Sequence, residues 1–245
     1  MSTKTGQPHV TLVDCDLRGG NIAAYLDMDP RAGLVGLLNE GEPIAVRNRL
    51  TEELQEGPGF AVLAGIERAG LQKRLSPARF GAVLTALRQR FDYVLIDAGE
   101  VGGSRTSPIE SMAFRAAAHV LVVTRPDLVA LWNTRLAIQQ LRDELGVPPE
   151  RVGLLVNKRE GRDQYGAEEV ERSLGYPALA DLKADHRASH LAIREQRPIT
   201  GFSGSIAKGL RRLAAGLTAG DMQPVPKPAK PTRRPWNVLA LVRRS

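Results

Sequence analysis

Short runs of Val, Ile, Leu and Ala alternate along this chain with stretches whose apolar residues recur at helical spacing, and few folds accommodate that rhythm. Strands alternating with helices build βαβ units and a mainly parallel sheet, covered by helices on both faces. The strand candidates are His9–Asp14, Phe60–Leu63, Tyr93–Asp97, Val120–Thr124, Val152–Asn157 and Pro177–Asp181. Several are apolar on both faces, as strands buried between two helical layers must be. Ser76–Arg90 reads as a helix, with Phe80, Val83, Leu84 and Leu87 on one face. Leu131–Leu145, Ala167–Leu174 and Ile206–Leu217 read likewise. The expected architecture is a doubly wound α/β domain over residues 1–218, with Phe114 and Trp132 in its core.

The texture changes from Ala219. Prolines 224, 226, 228, 231 and 235 define a basic linker over 219–235, and a short apolar and basic tail follows over 236–245. The net charge of +7 belongs mostly to this end. Lys227, Lys230, Arg233, Arg234, Arg243 and Arg244 are unaccompanied by acid after Met222, which leaves residues 1–221 at about +1. No run reaches the roughly 18 apolar residues of a membrane-spanning helix, and Met1–His9 has no apolar signal core. A single cysteine, Cys15, leaves no internal disulfide to form. These features lead to the expectation of a cytoplasmic protein.

Three carboxylates fall at the carboxyl ends of strands: Asp14 and Asp16 after the first, Asp97 after the third. Ligands of open α/β sheets bind at that edge. Carboxylates there suit Mg²⁺, which takes oxygen ligands and keeps several waters; each could equally cap the next helix. Asn157 ends another strand, where it could instead satisfy local backbone.

The segment Thr11-Leu-Val-Asp-Cys-Asp-Leu-Arg-Gly-Gly-Asn-Ile-Ala-Ala-Tyr-Leu-Asp27 resembles the one that follows the first helix in MinD/ParA-like P-loop ATPases. Phe91-Asp-Tyr-Val-Leu-Ile-Asp-Ala-Gly99 is similar to their Walker B strand. Leu121-Val-Val-Thr-Arg-Pro-Asp127 and Leu154-Leu-Val-Asn-Lys158 resemble the two later strands around the nucleotide. Ala192-Ile-Arg-Glu-Gln-Arg-Pro-Ile199 looks like the helix-to-turn element near the domain's end. Gly59-Phe-Ala-Val-Leu-Ala-Gly65 is closest in flavour to the CpaE-like, pilus-positioning branch.

The resemblance implies ATP and Mg²⁺ as cofactors and a set of roles. Asp14 would orient the attacking water, and Asp16 would sense the γ-phosphate and Mg²⁺. Asp97 would hold Mg²⁺ through water, Gly99 would offer its N–H to the γ-phosphate, and Asn157 would bond the adenine edge. Phosphoryl transfer depends on such positioning and charge stabilisation. The implied function is an ATPase switch that positions a division site, pilus or chromosome, dimerising with ATP and releasing a protein partner on hydrolysis. The alternatives are a non-hydrolysing scaffold of the same fold and a DNA-associated partition protein.

One departure stands against the match. The family opens with a strand, a Lys-Gly-Gly-x-Gly-Lys-[Ser/Thr] loop and a helix, but only nine residues precede Val10 and none forms that loop. Gly201–Gly209 has Lys208 but no following Ser/Thr, and Ala98–Ser104 has no lysine. Without that cation the carboxylates leave a triphosphate's charge unbalanced. The expectation is weak or absent ATP binding, and two unpaired strand edges within the sheet. N-terminal truncation is the leading explanation, with a degenerate relative as the alternative.

His186 and His190 lie four apart beside Asp185, a spacing that suits a solvated helix face better than a metal site lacking a third ligand. Cys15, between two aspartates, reads as an inert strand-end side chain. Three readings of the tail remain: an anionic membrane surface, nucleic acid, or docking on its own body or a partner. On a helical wheel Trp236–Val242 is apolar nearly all round, so its amphipathic signal is poor.

Overall fold

A computed structural model describes residues 9–38, 46–66, 75–101, 106–161 and 165–219. The tail over 236–245 and all but the first residue of the 219–235 linker lie outside the described residues, as do residues 1–8 and 102–105. The elements in order are β1 (Val10–Asp14), α1 (Ile22–Tyr25), α2 (Leu34–Leu38), α3 (Val46–Glu53), β2 (Gln55–Glu56), β3 (Ala61–Leu63), α4 (Pro77–Arg90) and β4 (Tyr93–Asp97). Then come α5 (Pro108–Ala116), β5 (Val120–Thr124), α6 (Leu128–Asp143), β6 (Val152–Arg159), α7 (Ala167–Leu174), β7 (Ala178–Lys183), α8 (His186–Arg194) and α9 (Ser205–Ala219).

The strands form two sheets, ordered β2-β3-β1-β4 and β5-β6-β7. Every pairing is parallel except the short β2–β3 contact. The α/β reading holds, and among the described residues β4 and β5 belong to different sheets.

Local sequence sets the helix starts. Ser107 and Glu110 form a reciprocal capping box with Pro108 at the first turn of α5. Asp127 and Asp185 accept N–H bonds from Ala130 and Ala188 at α6 and α8. Gly175 closes α7 at φ 77°.

Helix α5 joins the two sheets. Its Ile109 and Ala113 pack with Val13, Leu63, Phe80, Val83 and Leu87 in one core, against which Val94 and Ile96 also lie. Its Phe114 packs with Val120, Ile138, Leu141, Val152 and Leu154 in the second. Trp132 does not join either core and is 58% exposed. The period of α6 explains this correction: Leu131, Thr134, Ile138 and Leu141 make its buried face, and Trp132 lies about 100° from Leu131. Helix α5, absent from the sequence reading, is too short for a clear period.

Candidate functional site

Strand β1 runs from Val10 into the buried Asp14, and their registers place Asp14 beside Asp97 at the end of β4. The two neighbours differ, because Asp14 is 1% exposed and Asp97 is exposed. Asp14 accepts N–H bonds from Asp16 and Ile22, both at 3.2 Å. Gly20 and Gly65 wall it in, since a Cβ would come within 2.3 Å and 2.9 Å of its carboxylate atoms. Burial pushes the Asp14 pKa up; the two N–H bonds oppose this, and Asp97 and Asp16 add to it.

Asp16 accepts from the N–H groups of Arg18 and Gly19 at 3.0 and 3.2 Å. Gly99, at φ 67°, lies against it, so that a Cβ would stand 2.6 Å from the Asp16 Cγ. The Gly99 N–H donates to Asp97 Oδ1 at 3.0 Å. Asp14, Asp16, Asp97 and Gly99 thus come together at the carboxyl edge of the first sheet. Asn157 stands apart on β6 of the second sheet, where its Oδ1 accepts from the Lys158 N–H at 2.8 Å.

Two contributors escaped the sequence reading. The Arg18 guanidinium donates to the Glu100 carbonyl and approaches Glu110 Oε1 at 4.0 Å. Glu110 is 2% exposed. Its Oε2 accepts the Ser107 N–H at 2.6 Å, while Oε1 is buried without a hydrogen-bond partner. The Ser-x-x-Glu spacing was the available signal for this residue. Cys15 is buried beneath the carboxylates, and burial, then Asp14, Glu110 and Asp97, push its thiol pKa up. His186 is exposed, with its Nε2 3.4 Å from Glu160.

These residues do not by themselves fit a magnesium–nucleotide. Asp14, Asp16 and Asp97 each turn a carboxylate oxygen toward local backbone N–H groups. Among the described residues no three acidic, His or Cys side chains converge as a metal site. Arg18 is already engaged with Glu100 and approaches Glu110, so the edge offers a triphosphate mainly like charge.

A mainly parallel α/β fold with carboxylates at its carboxyl edge defines the class of architecture, and comparison with known proteins gives the particular fold. The chain shares a TM-score of 0.73 with a ParA family ATPase from Chlorobium tepidum, at 17% identity over 87% of this chain and 88% of that one. The cell division ATPase MinD of Pyrococcus furiosus matches at 0.68 and 22% identity, over 86% of both chains. MinD of Pyrococcus horikoshii, complexed with Mg-ADP, matches at 0.63 and 19%, over 88% of this chain and 86% of that one. At these identities the likeness is one of fold, and the fold is that of ParA and MinD.

No protein-family profile matches the chain. A tyrosine-protein kinase, ptk, of Acinetobacter johnsonii is 34% identical over 89 residues, 36% of this chain. The chain covers only 12% of that relative's length.

Proposed function

We propose that this chain is the carboxylate-bearing body of a ParA/MinD-like switch that positions cellular machinery. The observation that carries this reading is the gathering of Asp14, Asp16, Asp97 and Gly99 at the carboxyl edge of the first sheet. The roles that the resemblance gives these residues and Asn157 belong to the proposal, as do ATP-dependent dimerisation, a protein partner and the cargo, whether division site, pilus or chromosome. All of them require a phosphate cradle that the described residues do not supply.

Calorimetry with Mg-ATP tests the reading. The 245-residue chain should show no saturable binding. A form extended by a strand, a glycine-rich lysine loop and a helix should bind, and Asp97→Ala should weaken that binding at least tenfold. Failure of the extended form would sink the switch. Tyrosine phosphorylation, suggested by the partial relative's name, would need the same cradle.

A second reading, a non-hydrolysing scaffold, is favoured by α6. That helix exposes Leu128, Val129, Trp132 and Leu136 along one side, a surface suited to a protein partner.

A further inference from the structure

Helix α1 and the end of α8 border a groove of about 460 Å³, lined by Asn21, Ala24, Tyr25, Ile193, Arg194 and Gln196. Its two walls are pinned together, because Gln196 Nε2 donates to the Ala24 carbonyl at 2.8 Å across 172 residues of chain. Gln196 adopts a left-handed φ of 47° there, uncommon for a residue with a Cβ. Each wall keeps one large side chain in water: Tyr25 is 54% exposed and Ile193 57%. Single exposed apolar residues are ordinary, but two on facing walls of one concave site are a place for a ligand's apolar group.

The polar groups of the groove narrow the chemistry. Asn21 Nδ2 donates to the Gly19 carbonyl, and Gln196 Nε2 is engaged with Ala24. Both amides therefore keep an oxygen, Oδ1 and Oε1, as an acceptor with no partner among the described residues. Arg194 gives one nitrogen to Glu195 at 3.1 Å and is otherwise 72% exposed, so most of its N–H groups are open to an anion. Arg187, His190 and Arg194 recur at i, i+3 and i+7 along one exposed stripe of α8. Arg187 makes no ion pair among the described residues. This end of the body is also its positive end: residues 183–218 carry seven lysines and arginines against two acids, whereas residues 1–182 carry 21 against 24.

We infer that this groove docks an acidic peptide segment of a partner protein. Its apolar side chain lodges between Tyr25 and Ile193, its backbone N–H groups meet Asn21 Oδ1 and Gln196 Oε1, and its carboxylates pair with Arg194 and Arg187. The two arginines lie about 10 Å apart along the helix axis, the reach of about three extended residues. A flat bilayer does not enter a groove, and a phosphate backbone brings no N–H to the two amide oxygens. Docking here requires nothing of the switch reading, and it is read out without nucleotide, so nucleotide results leave it untouched.

An array of nonapeptides probed with the full chain tests it: a central Leu, Ile or Phe flanked by Asp and Glu, against the same centres flanked by Ser or by Lys. The acidic set should retain the chain about tenfold more than the serine set, and the lysine set should not retain it. With the best acidic peptide in solution, Tyr25→Ser, Ile193→Ser and Arg194→Glu, all at exposed positions, should each weaken binding about tenfold by fluorescence anisotropy. Glu195→Gln, which removes a competing carboxylate, should tighten it about threefold. Arg142→Glu, an equal charge reversal on α6, should leave it unchanged. Equal retention of the acidic and serine sets overturns the inference, as does an affinity untouched by Tyr25→Ser and Arg194→Glu. A loss with Arg142→Glu as large as with Arg194→Glu overturns it in favour of diffuse charge attraction. Retention on phosphatidylserine vesicles or on oligo-dT that Arg194→Glu abolishes, with none on the acidic array, overturns it in favour of a membrane or a nucleic acid.

Discussion

Strands β5 and β6 are neighbours of similar apolar composition, yet they live in different environments. Val152–Val156 of β6 is buried throughout, paired on one side by β5 and on the other by β7. Among the described residues Val120–Thr124 of β5 is paired on one side only, and Val123 is more than half exposed. Composition makes a strand, and the number of neighbours decides how much each side chain contributes to stability. The largest expected effect follows from this contrast. Leu154→Ala should cost about 2–5 kcal/mol in urea unfolding, since it empties a fully buried site. Val123→Ala should cost less than about 1 kcal/mol. Equal losses would show that the exposed side of β5 is covered in solution.

Two glycines sharpen the contrast between the acidic edge and an ordinary loop. Gly99 and Gly146 have nearly the same positive φ, 67° and 66°. A Cβ on Gly99 would strike Asp16, whereas Gly146 has nothing within 4 Å. Gly146→Ala should cost about 1 kcal/mol from backbone strain alone. Gly99→Ala adds the clash and should cost about 2–3 kcal/mol. If the two substitutions cost the same by thermal unfolding, Asp16 yields freely and the edge is not tightly packed.

Two aspartates that accept backbone bonds near helix starts should respond oppositely to acid. Asp14 has a folded pKa raised by burial. As pH falls toward the unfolded value, the native state takes up a proton first, so stability rises through that window and is fully present below it. Asp127 has a pKa lowered by the Ala130 N–H and by Arg125. Its contribution is present above the unfolded value and is lost as pH falls through the folded one. Relative to Asp14→Asn, the native protein should therefore gain stability as pH falls toward about 4, the unfolded carboxylate value. Relative to Asp127→Asn, it should lose its advantage below about pH 4. Denaturant midpoints across pH decide both slopes; a falling advantage for Asp14 would show that its two N–H bonds outweigh burial, and a flat one that its carboxylate is solvated.

The sequence revealed more of the sheet than of the site. The positions of β4, β5 and α7 were legible to the residue, because an apolar run or a 3.6-residue period is a local signal. Strand β6 extends to Arg159, two residues past the expected end, because its polar Lys158 and Arg159 hide a continuing ladder with β7. Asp14, Asp16, Asp97 and Gly99 were legible as residues at strand ends, but their partners were not. That Asp14 is sealed by Gly20 and Gly65, or that Glu110 lies buried near Arg18, depends on contacts between segments far apart in the chain. Trp132 misled for a related reason: a large apolar residue in a helix reads as core unless its angular position is followed.

That tryptophan gives the smallest expected effect on folding and separates exposed from buried aromatic area. Along α6, Leu128, Val129, Trp132 and Leu136 share the side turned from the core, spaced as neighbours on a helix surface. The opposite side places Leu131, Ile138 and Leu141 against β5 and β6. Truncating a side chain already in water forfeits little transfer energy, so Trp132→Ser should change unfolding stability by no more than about 0.5 kcal/mol. Phe80→Ala, in the first core at 0% exposure, should cost about 3–5 kcal/mol. A loss above 1 kcal/mol for Trp132→Ser at micromolar concentration would mean that α6 is covered in solution. If that loss then disappeared on dilution, the cover would be a second molecule and its interface would contain Trp132. If the loss persisted at every concentration, the cover would come from the same chain.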